Sequence, residues 1–450
     1  MSYLQSLDSQ KIAVVGAGVT GKAILQFLDN RNIKADVYDD KAPGALREVS
    51  ANYDLAIISP GWKLDHPIVL ALQKSSKELI GEIDFSWRVK EEIAPDQKWI
   101  GLTGTNGKTT TIQMVQSILE ASSVSGVACG NVGEPVISVL GSGNHYDILA
   151  IELSSFQLEW SNLPRFVACA ILNIAPDHID WHGSFDRYAF AKLRILDFSD
   201  QAIINAQDPE TMVRSSSWRG SKAFYSLDTP QAGEIGLVDN LLIDRAFTGD
   251  PSQAVDFAEL SDIKPTVPHN VSNAMAAAGL ALAVGLTHDD VRHGLKNFTL
   301  DHHRLESVLE QDGVTWINDS KATNPHAASA ALMSQLSAIW IAGGLAKGAA
   351  MDNLVKRCAG RIKSAILIGQ DASVIATALS KYAPHIPYII MPFDGNSQNL
   401  MRDVVLKAQE LSSSGDTVLL APACASMDQF RDYADRGETF ANMVREVVGK

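Results

Sequence analysis

The sequence predicts an α/β protein with three domains in series: a Rossmann-like N-terminal unit, a central P-loop ATPase-type domain with a parallel sheet, and a C-terminal doubly wound α/β domain. Two glycine loops, Gly16–Gly21 and Gly104–Gly107, each follow a short apolar strand and precede a helical stripe. Strand and helix patterns alternate again after residue 314. We place the domains at residues 1–93, 94–300 and 301–450.

The composition narrows the class of protein. The 450-residue chain is 46% hydrophobic with a net charge of −14, which argues against nucleic acid or an anionic membrane as its main partner. The four cysteines form no C-x-x-C pair, so we expect neither a zinc site nor a disulfide framework. No signal-peptide pattern or membrane-length apolar stretch is present. We therefore expect a soluble, cytoplasmic monomer.

The first glycine loop has the pattern G-x-G-x-x-G. It follows the strand at 11–15, and the next strand ends in Asp39-Asp40, which is the arrangement of a dinucleotide site. An NAD-dependent oxidoreductase is therefore one alternative. The same tight turn and helix N-terminus also suit any other diphosphate.

The second glycine loop, GTNGKTTT at 104–111, has the layout of a phosphate site. Lys108 can reach terminal phosphates, and the Thr109 hydroxyl can hold Mg²⁺. The longer P-loop pattern has glycine where this chain has Leu102, so the match is to a shorter form, GxxGK[ST]. The alternative is a glycine-rich turn before an ordinary helix, but the flanking strand and helix favour phosphate binding.

Three further residues of the central domain have both a chemical and a structural interpretation. Glu152 ends a strand, where it either joins Thr109 on Mg²⁺ or caps the next helix. His178 lies in a segment with two aspartates and is either a structural hydrogen-bonding residue or part of a metal or charge cluster. Lys192 lies on a helical stretch, and its residue type alone predicts a solvated or salt-bridged side chain, because an ordinary lysine repels Mg²⁺.

Three loops of the third domain follow predicted strands and precede helices. They are 319–324 (DSKATN), 343–348 (GGLAKG) and 421–430 (APACASMDQF). Each could be a plain loop between a strand and a helix. Together, at the carboxyl ends of strands, they favour a site for an anion with more than one carboxylate.

Ten segments, spread over nearly the whole chain, carry a resemblance to a known family. They are GTNGKTTT (104–111), GNVG (130–133), ELSSFQ (152–157), DHID (177–180), AKLRI (191–195), HNVSNA (269–274), HHRLE (302–306), DSKATN (319–324), GGLAKG (343–348) and PACASMDQF (422–430). With these segments the sequence resembles the Mur ligases, ATP-dependent enzymes that add amino acids to the peptidoglycan precursor. The last segment is most similar to the members that add D-glutamate, and the D-N-P-R motif of the diaminopimelate-adding members is absent.

The resemblance implies an activity. ATP, UDP-N-acetylmuramoyl-L-alanine and D-glutamate are the implied substrates, and an acyl phosphate and a tetrahedral intermediate are the implied steps. Two Mg²⁺ sites and a carbamate on Lys192 are implied as well. Another Mur-type ligase is an alternative, although a folate polyglutamate ligase does not need the first Rossmann-like unit. A non-catalytic nucleotide-binding regulator is disfavoured by the retained Glu152, His178 and Lys192.

The resemblance also implies roles for individual residues, grouped by the ligand that they contact. The catalytic group is Lys108, His178 and Lys192, and the metal ligands are Thr109, Glu152, His178 and Lys192. The ATP group is Gly104, Thr105, Asn106, Gly107, Lys108, Thr109, Thr110, Asn270, Arg304 and Asp319. The UDP-substrate group is Val19, Thr20, Asp39, Asp40, Ser59, Gly61, Asn131 and Ser154. The D-glutamate group is Lys321, Thr323, Lys347, Ser426, Met427 and Tyr433.

Overall fold

The structure is a computed structural model that describes residues 2–250, 252–300 and 302–449, so the predicted domain limits at residues 1, 301 and 450 lie outside the described residues. Three sheets with mostly parallel strands confirm the α/β class. The chain divides into two compact units, Met1–Ile174 with Ser184–Phe298, and Ala175–Gly183 with Thr299–Lys450. Within the described ranges, no helix combines the length and apolar character needed to cross a membrane.

The N-terminal sheet and its helices come first in the chain: α1 (Tyr3–Leu7), β1 (Ile12–Val15), α2 (Val19–Asp29), β2 (Ala35–Tyr38), β3 (Tyr53–Ile58), α3 (Pro67–Ser75), β4 (Ser76–Gly81) and α4 (Glu82–Ile93). The four strands are parallel, in the order β2-β1-β3-β4. Ile12 and Val14 of β1 belong to one hydrophobic core, and Ala13 and Val15 belong to another. The sheet is therefore covered on both faces, as expected for parallel strands.

The first glycine loop joins β1 to α2, and close packing explains two of its glycines. Gly16 has φ 96°, a left-handed conformation that favours glycine. A Cβ at Gly21 would lie 1.7 Å from the carbonyl oxygen of Gly16. The turn can therefore close only with glycine at Gly21, which leaves the N-terminus of α2 exposed beside β1.

The central sheet and its neighbours follow: β5 (Lys98–Thr103), α5 (Lys108–Ala121), β6 (Gly126–Gly130), α6 (Val136–Gly141), β7 (Ile148–Glu152), α7 (Ser155–Trp160), β8 (Phe166–Ile171), α8 (Ile179–His182), α9 (Phe185–Leu193), β9 (Ser199–Asn205), α10 (Pro209–Ser215), β10 (Ser221–Tyr225), β11 (Glu234–Val238), β12 (Leu241–Asp244), β13 (Val255–Glu259), α11 (Pro268–Ala283) and α12 (His288–Asn297). The sheet has nine strands, in the order β13-β12-β11-β10-β9-β8-β5-β7-β6.

Two segments of the central part differ from what the sequence predicts. The turn signals and short apolar runs of residues 205–265 predict hairpins, and among the described residues β11, β12 and β13 do form antiparallel pairs, but β10 pairs in parallel with β9 and β11. The sequence predicts that residues 268–273 cap a helix over 274–284, but they form the first turns of α11. Pro268 explains the second difference, because proline is well suited to the first position of a helix.

The third sheet and its helices complete the chain: β14 (Glu306–Gln311), β15 (Val314–Asn318), α13 (Pro325–Met333), β16 (Ala338–Gly343), α14 (Asp352–Cys358), β17 (Ile362–Ile368), α15 (Ala372–Tyr382), β18 (Tyr388–Ile390), α16 (Ser397–Leu411), β19 (Thr417–Leu420) and α17 (Tyr433–Val447). The strand order is β14-β15-β19-β16-β17-β18, with only the β14–β15 pair antiparallel. The neighbouring strands β15, β19 and β16 therefore present their carboxyl ends side by side.

Candidate active site

The second glycine loop lies at the carboxyl end of β5, in the middle of the central sheet. Strand β5 lies between β7 and β8 and is parallel to both, so the ends of all three strands meet at one edge. Gly107 has φ 82° and caps α5, whose N-terminus opens onto the loop. Backbone N–H groups at such a helix start favour an anion such as phosphate.

Two residues that the sequence analysis did not identify fix the shape of this loop. The Asn173 side chain accepts a hydrogen bond from Asn106 N at 2.9 Å and donates one to Asn106 O at 3.1 Å. The hydroxyl groups of Tyr188 and Thr105 are 2.9 Å apart. Asn173 follows β8 and Tyr188 lies on α9, so neighbouring elements hold the loop before any ligand binds.

Two candidate lysines meet at a single carbonyl oxygen. Lys108 Nζ and Lys192 Nζ each donate a hydrogen bond to Gly104 O at 2.8 Å. The two nitrogens are therefore separated by no more than twice that distance. Lys192 is only 2% exposed, and its Nζ also lies 3.5 Å from Thr103 Oγ1. A solvated Lys192 was the wrong expectation, because α9 directs this side chain into the loop.

Glu152 presents one unused carboxylate oxygen at the same edge of the sheet. The residue is 1% exposed, and its Oε1 accepts a hydrogen bond from Asn131 Nδ2 at 2.9 Å. Its Oε2 is buried and has no hydrogen-bond partner among the described residues. A buried carboxylate oxygen without a partner is costly unless a cation or donor binds it. Glu152 therefore fits the requirements of a Mg²⁺ ligand.

The other candidate ATP residues of this unit are mostly buried. Thr109 and Thr110 lie in the first turn of α5 and are 6% and 2% exposed. Asn270 is 2% exposed on α11, and its Nδ2 donates a hydrogen bond to Pro265 O at 3.2 Å. This bond uses one of the two N–H donors of the amide, so it does not have to break for Asn270 to contact an adenine.

His178 belongs to the second compact unit, together with Ala175–Gly183. It caps α8 with φ 50°, and its Nε2 is 3.7 Å from Asp177 Oδ2. In the described part of the chain, no three His, Cys, Asp or Glu side chains form a group that could hold a metal ion. The metal cluster considered for the DHID segment is therefore not formed by these side chains alone.

A cleft of about 500 Å³ opens beside the first glycine loop. It is lined by six of the eight candidate UDP-substrate residues, namely Val19, Thr20, Asp39, Asp40, Ser59 and Gly61. The other two candidates, Asn131 and Ser154, lie outside its lining. Ser154 instead caps α7, where its Oγ accepts a hydrogen bond from Gln157 N at 3.2 Å.

The two aspartates at the end of β2 have different surroundings. Asp39 accepts backbone hydrogen bonds from Ala17, Lys41 and Ala42, which lower the pKa of its carboxyl group. The ionised Asp39 side chain therefore links the end of β2 to the glycine loop through its hydrogen bond with Ala17 N. Asp40 is exposed, and its Oδ2 lies 3.0 Å from His66 Nε2 across the cleft lining.

Backbone hydrogen bonds connect the three predicted loops of the third sheet. Leu345 and Ala425 form an antiparallel bridge, with N–H to O distances of 2.8 and 3.0 Å. Ala423 N donates a hydrogen bond to Ala322 O at 2.9 Å. The loops 319–324, 343–348 and 421–430 therefore form one continuous edge.

Most candidate D-glutamate residues lie along this edge. Lys321 Nζ is 5.0 Å from the ring centroid of Tyr433, and Lys347 has φ 50° in its glycine-rich loop. Ser426 is 3% exposed, whereas Met427 is 62% exposed. Thr323, the remaining candidate, is half-buried.

The candidate ATP residues of the second unit lie near the start of the third sheet. Asp319 Oδ1 accepts a hydrogen bond from Leu305 N at 3.3 Å. Burial raises the pKa of the Asp319 carboxyl group to about 7, although the nearby charge of Arg304 opposes the increase. Arg304 and Asp319 are therefore electrostatically coupled.

Two protein-family models match most of the chain. The model of the Mur ligase middle domain matches residues 102–281, and the model described as Mur ligase, glutamate ligase domain matches residues 303–424. A relative from Thermobifida fusca, UDP-N-acetylmuramoylalanine--D-glutamate ligase, is 41% identical over 98% of this chain and 100% of its own length. The chain belongs to the Mur ligase family. The Streptomyces avermitilis Mur ligase of the same name is 44% identical over 97% of this chain and 98% of its own.

Solved structures of Mur ligases and related proteins share the fold. A pseudomurein peptide ligase type C from Methanothermus fervidus superposes with a TM-score of 0.62 at 18% identity, covering 98% of this chain and 99% of its own. MurF ligase from Thermotoga maritima in complex with ADP gives a TM-score of 0.58 at 15% identity, covering 89% of this chain and 96% of its own.

Among the residues that sequence reasoning missed, Asn173 lies directly after the apolar run that forms β8. This position at a strand end was a signal that could have identified it.

Proposed function

We propose that this chain is an ATP-dependent ligase that joins D-glutamate to UDP-N-acetylmuramoyl-L-alanine in the cytoplasmic part of peptidoglycan synthesis. The observation that carries the proposal is the similarity, over nearly the full length, to two relatives named for this reaction. In the proposed reaction the terminal carboxylate of the UDP substrate accepts the γ-phosphoryl group of ATP. The amine of D-glutamate then attacks the acyl phosphate, and phosphate leaves from a tetrahedral intermediate.

The ATP phosphates would bind the loop Gly104–Thr110, with the remaining contacts from Asn270, Arg304 and Asp319. The left-handed Gly107 and the open N-terminus of α5 support this assignment. Lys108 would exchange its contact with Gly104 O for the transferred phosphate. Thr109 and Glu152 would hold one Mg²⁺, and His178 would hold a second. Mg²⁺ at these positions would neutralise the charge of the phosphates.

Lys192 would carry a carbamate, formed when its neutral amine adds CO₂ and releases a proton. The shared contact of Lys108 and Lys192 with Gly104 O supports this assignment. Two ammonium groups at that distance repel each other, and the repulsion is strong in a buried site. A carbamate replaces one positive charge by a negative charge and makes Lys192 a suitable metal partner.

The UDP substrate would bind the cleft beside Gly16–Gly21, and D-glutamate would bind the three connected loops of the third sheet. The six candidate residues in the lining of the cleft support the first assignment. The proximity of Lys321 to Tyr433 supports the second. We retain the division into domains 1–93, 94–300 and 301–450, with a monomer as the functional unit.

A phosphate-release assay with an amino-acid panel tests this function. We expect release only when ATP, UDP-N-acetylmuramoyl-L-alanine and D-glutamate are all present. Equal activity with L-lysine or D-alanyl-D-alanine would contradict the specificity for D-glutamate. Nicotinamide absorbance changes during turnover would contradict the ligase assignment and favour an oxidoreductase.

A further inference from the structure

Arg436 on α17 is a completely buried arginine that binds three separate loops. Its exposed fraction is 0%, and its Nε donates a hydrogen bond to Ser320 Oγ at 3.0 Å. Its Nη2 donates to Ser320 O at 2.9 Å, and both terminal nitrogens lie 3.2 Å from Cys424 O. Its Nη1 also donates to Gly343 O at 3.4 Å. One guanidinium therefore joins residues from three parts of the chain.

The hydrogen-bond acceptors of Arg436 are neutral, and the carboxylate of Asp428 acts on it only through its nearby charge. None of the ion pairs among the described residues involves this arginine. Burial lowers the pKa of its guanidinium group to about 10, so the group remains charged at neutral pH. Burying a cation that makes no ion pair costs free energy, so it is an unfavourable way to fill a core position. The burial of Arg436 therefore needs an explanation other than the filling of the core.

The three acceptors of Arg436 lie at the bases of the loops that carry the candidate D-glutamate residues. Ser320 immediately precedes Lys321, and Cys424 precedes Ser426 by two positions. Gly343 ends β16 and begins the loop that contains Lys347. The planar guanidinium fixes the directions of its donors, which a flexible ammonium group cannot do. A single side chain thus fixes the bases of three loops that backbone hydrogen bonds join farther along.

The neighbouring Gly437 holds the same turn of α17 against the start of the third sheet. A Cβ at Gly437 would lie 2.5 Å from His303 Nδ1 and 3.0 Å from Asn318 Oδ1. Asn318 Nδ2 donates a hydrogen bond to Gly437 O at 3.0 Å. This turn of the helix therefore has a fixed position from which Arg436 reaches the loops.

We propose that Arg436 is a positioning residue for D-glutamate, which acts by holding Lys321, Lys347 and Ser426 in one arrangement. The proposal rests on the proposed function and deepens it, because it assigns affinity for the amino acid to a residue buried behind the site. Formation of the acyl phosphate does not require D-glutamate. Arg436 therefore affects the second half of the reaction more than the first.

The test compares Arg436→Lys with Arg445→Lys, a matched change at an exposed arginine on the same helix. Two rates are measured: ligation as a function of D-glutamate, and hydroxylamine trapping of the acyl phosphate without D-glutamate. For Arg436→Lys we expect the KM for D-glutamate to increase at least about tenfold, the effect of losing one good hydrogen bond to a charged group. Hydroxamate formation should stay within about twofold of wild type. Arg445→Lys should leave both rates unchanged.

A milder variant, Ser320→Ala, removes the side-chain acceptor of Arg436 Nε together with the hydrogen bond that Ser320 Oγ donates to Tyr433 O at 2.7 Å. This variant tests the proposal if Arg436→Lys does not fold. Its KM for D-glutamate should increase by a smaller factor, again with hydroxamate formation retained. A wild-type KM in the folded variant, or an equal loss of both rates, would overturn the positioning role alone. A wild-type chain without D-glutamate-dependent phosphate release would overturn this role together with the proposed function.

Discussion

Asn131 Nδ2 donates a hydrogen bond to Glu152 Oε1 over 2.9 Å, while the buried Oε2 of the same carboxylate has no hydrogen-bond partner among the described residues. The contact follows from the sheet, because β6 and β7 pair in parallel with Gly130 opposite Glu152. The sequence resemblance assigned Asn131 to the sugar or peptide end of the UDP substrate. In the structure, the Asn131 amide instead orients the Glu152 carboxylate, which is expected to bind Mg²⁺.

Replacing Asn131 with alanine should weaken Mg²⁺ binding without removing a ligand. Residues that orient metal ligands typically contribute about 10- to 100-fold to metal affinity. We expect Asn131→Ala to need about tenfold more Mg²⁺ for half-maximal phosphate release. Asn144→Ala is the matched control in the same unit, because this exposed amide donates a hydrogen bond to Tyr146 OH at 3.4 Å and not to a carboxylate. An unchanged Mg²⁺ requirement in Asn131→Ala would contradict the orienting role.

Replacing Lys192 with alanine should abolish most ligation, because it removes the proposed carbamate and its contact with Gly104 O. We expect at least about a 100-fold lower kcat, by analogy with the loss of a metal partner. Added bicarbonate should not restore it, since alanine has no amine. Lys222→Ala serves as the control, because its Nζ donates a hydrogen bond to Ser215 O and lies 6.0 Å from the ring centroid of Trp218, and neither residue is a candidate site residue. Near-normal activity, or no carbamate carbon signal from ¹³CO₂-treated wild type, would refute the assignment.

Replacing Gly107 with alanine should raise the KM for ATP and lower Tm. Its φ of 82° is unfavourable for alanine by about 1 to 2 kcal/mol, and the new Cβ would lie 2.5 Å from Asn273 Oδ1. Gly143→Ala separates the two effects, since Gly143 has φ 81° but open space around its Cβ position. We expect both variants to lose stability and only Gly107→Ala to lose ATP affinity. Equal KM values for ATP would show that the loop tolerates the clash.

The buried Glu82 should make the protein less stable as the pH rises. Burial raises the pKa of its carboxyl group from 4.5 to about 7, against a hydrogen bond from Ser86 Oγ at 3.3 Å. Between these values the folded chain binds more protons than the unfolded chain, so stability falls as the pH increases. Above the folded pKa, this group lowers the free energy of unfolding by roughly 3 kcal/mol relative to its value at low pH.

Glu82→Gln should therefore raise Tm relative to wild type at about pH 8 and change it little near pH 4. Thermal unfolding across this range measures the effect. Glu120→Gln, at an exposed position on α5, provides the control. A constant Tm difference at every pH would show that the ionisation of Glu82 does not contribute.

The positions of the strand-end loops could be predicted from the sequence because their signals are local. GTNGKTTT directly follows the strand end at Thr103 and contains the turn and the first helical residues within eight positions, so Lys108 and Thr109 needed no long-range information. The same holds for Asp39 and for Lys321. Each lies one to three residues from the end of a strand whose apolar run is readable.

Residues that act across the fold could not be predicted in this way. Asn173 meets Asn106 across 67 positions, and Arg436 meets Ser320 across 116. Such contacts depend on strand order, and a parallel sheet places residues side by side that are far apart in the chain. The same reason explains why β10 was not predicted to extend the central sheet. The buried direction of Lys192 also depends on the packing of α9.

The three loops of the third sheet are joined through peptide groups, by the Leu345–Ala425 bridge and the Ala423–Ala322 hydrogen bond. Every residue type other than proline supplies these groups, so these backbone links do not depend on which side chains the loops present to a ligand. The contacts of Arg436 are mostly with backbone carbonyl groups of the same loops and are kept as well. The choice of amino-acid substrate can therefore be redesigned separately from the scaffold. A library varied only at Lys321, Thr323 and Ser426 would explore new substrates while the main-chain frame stays in place.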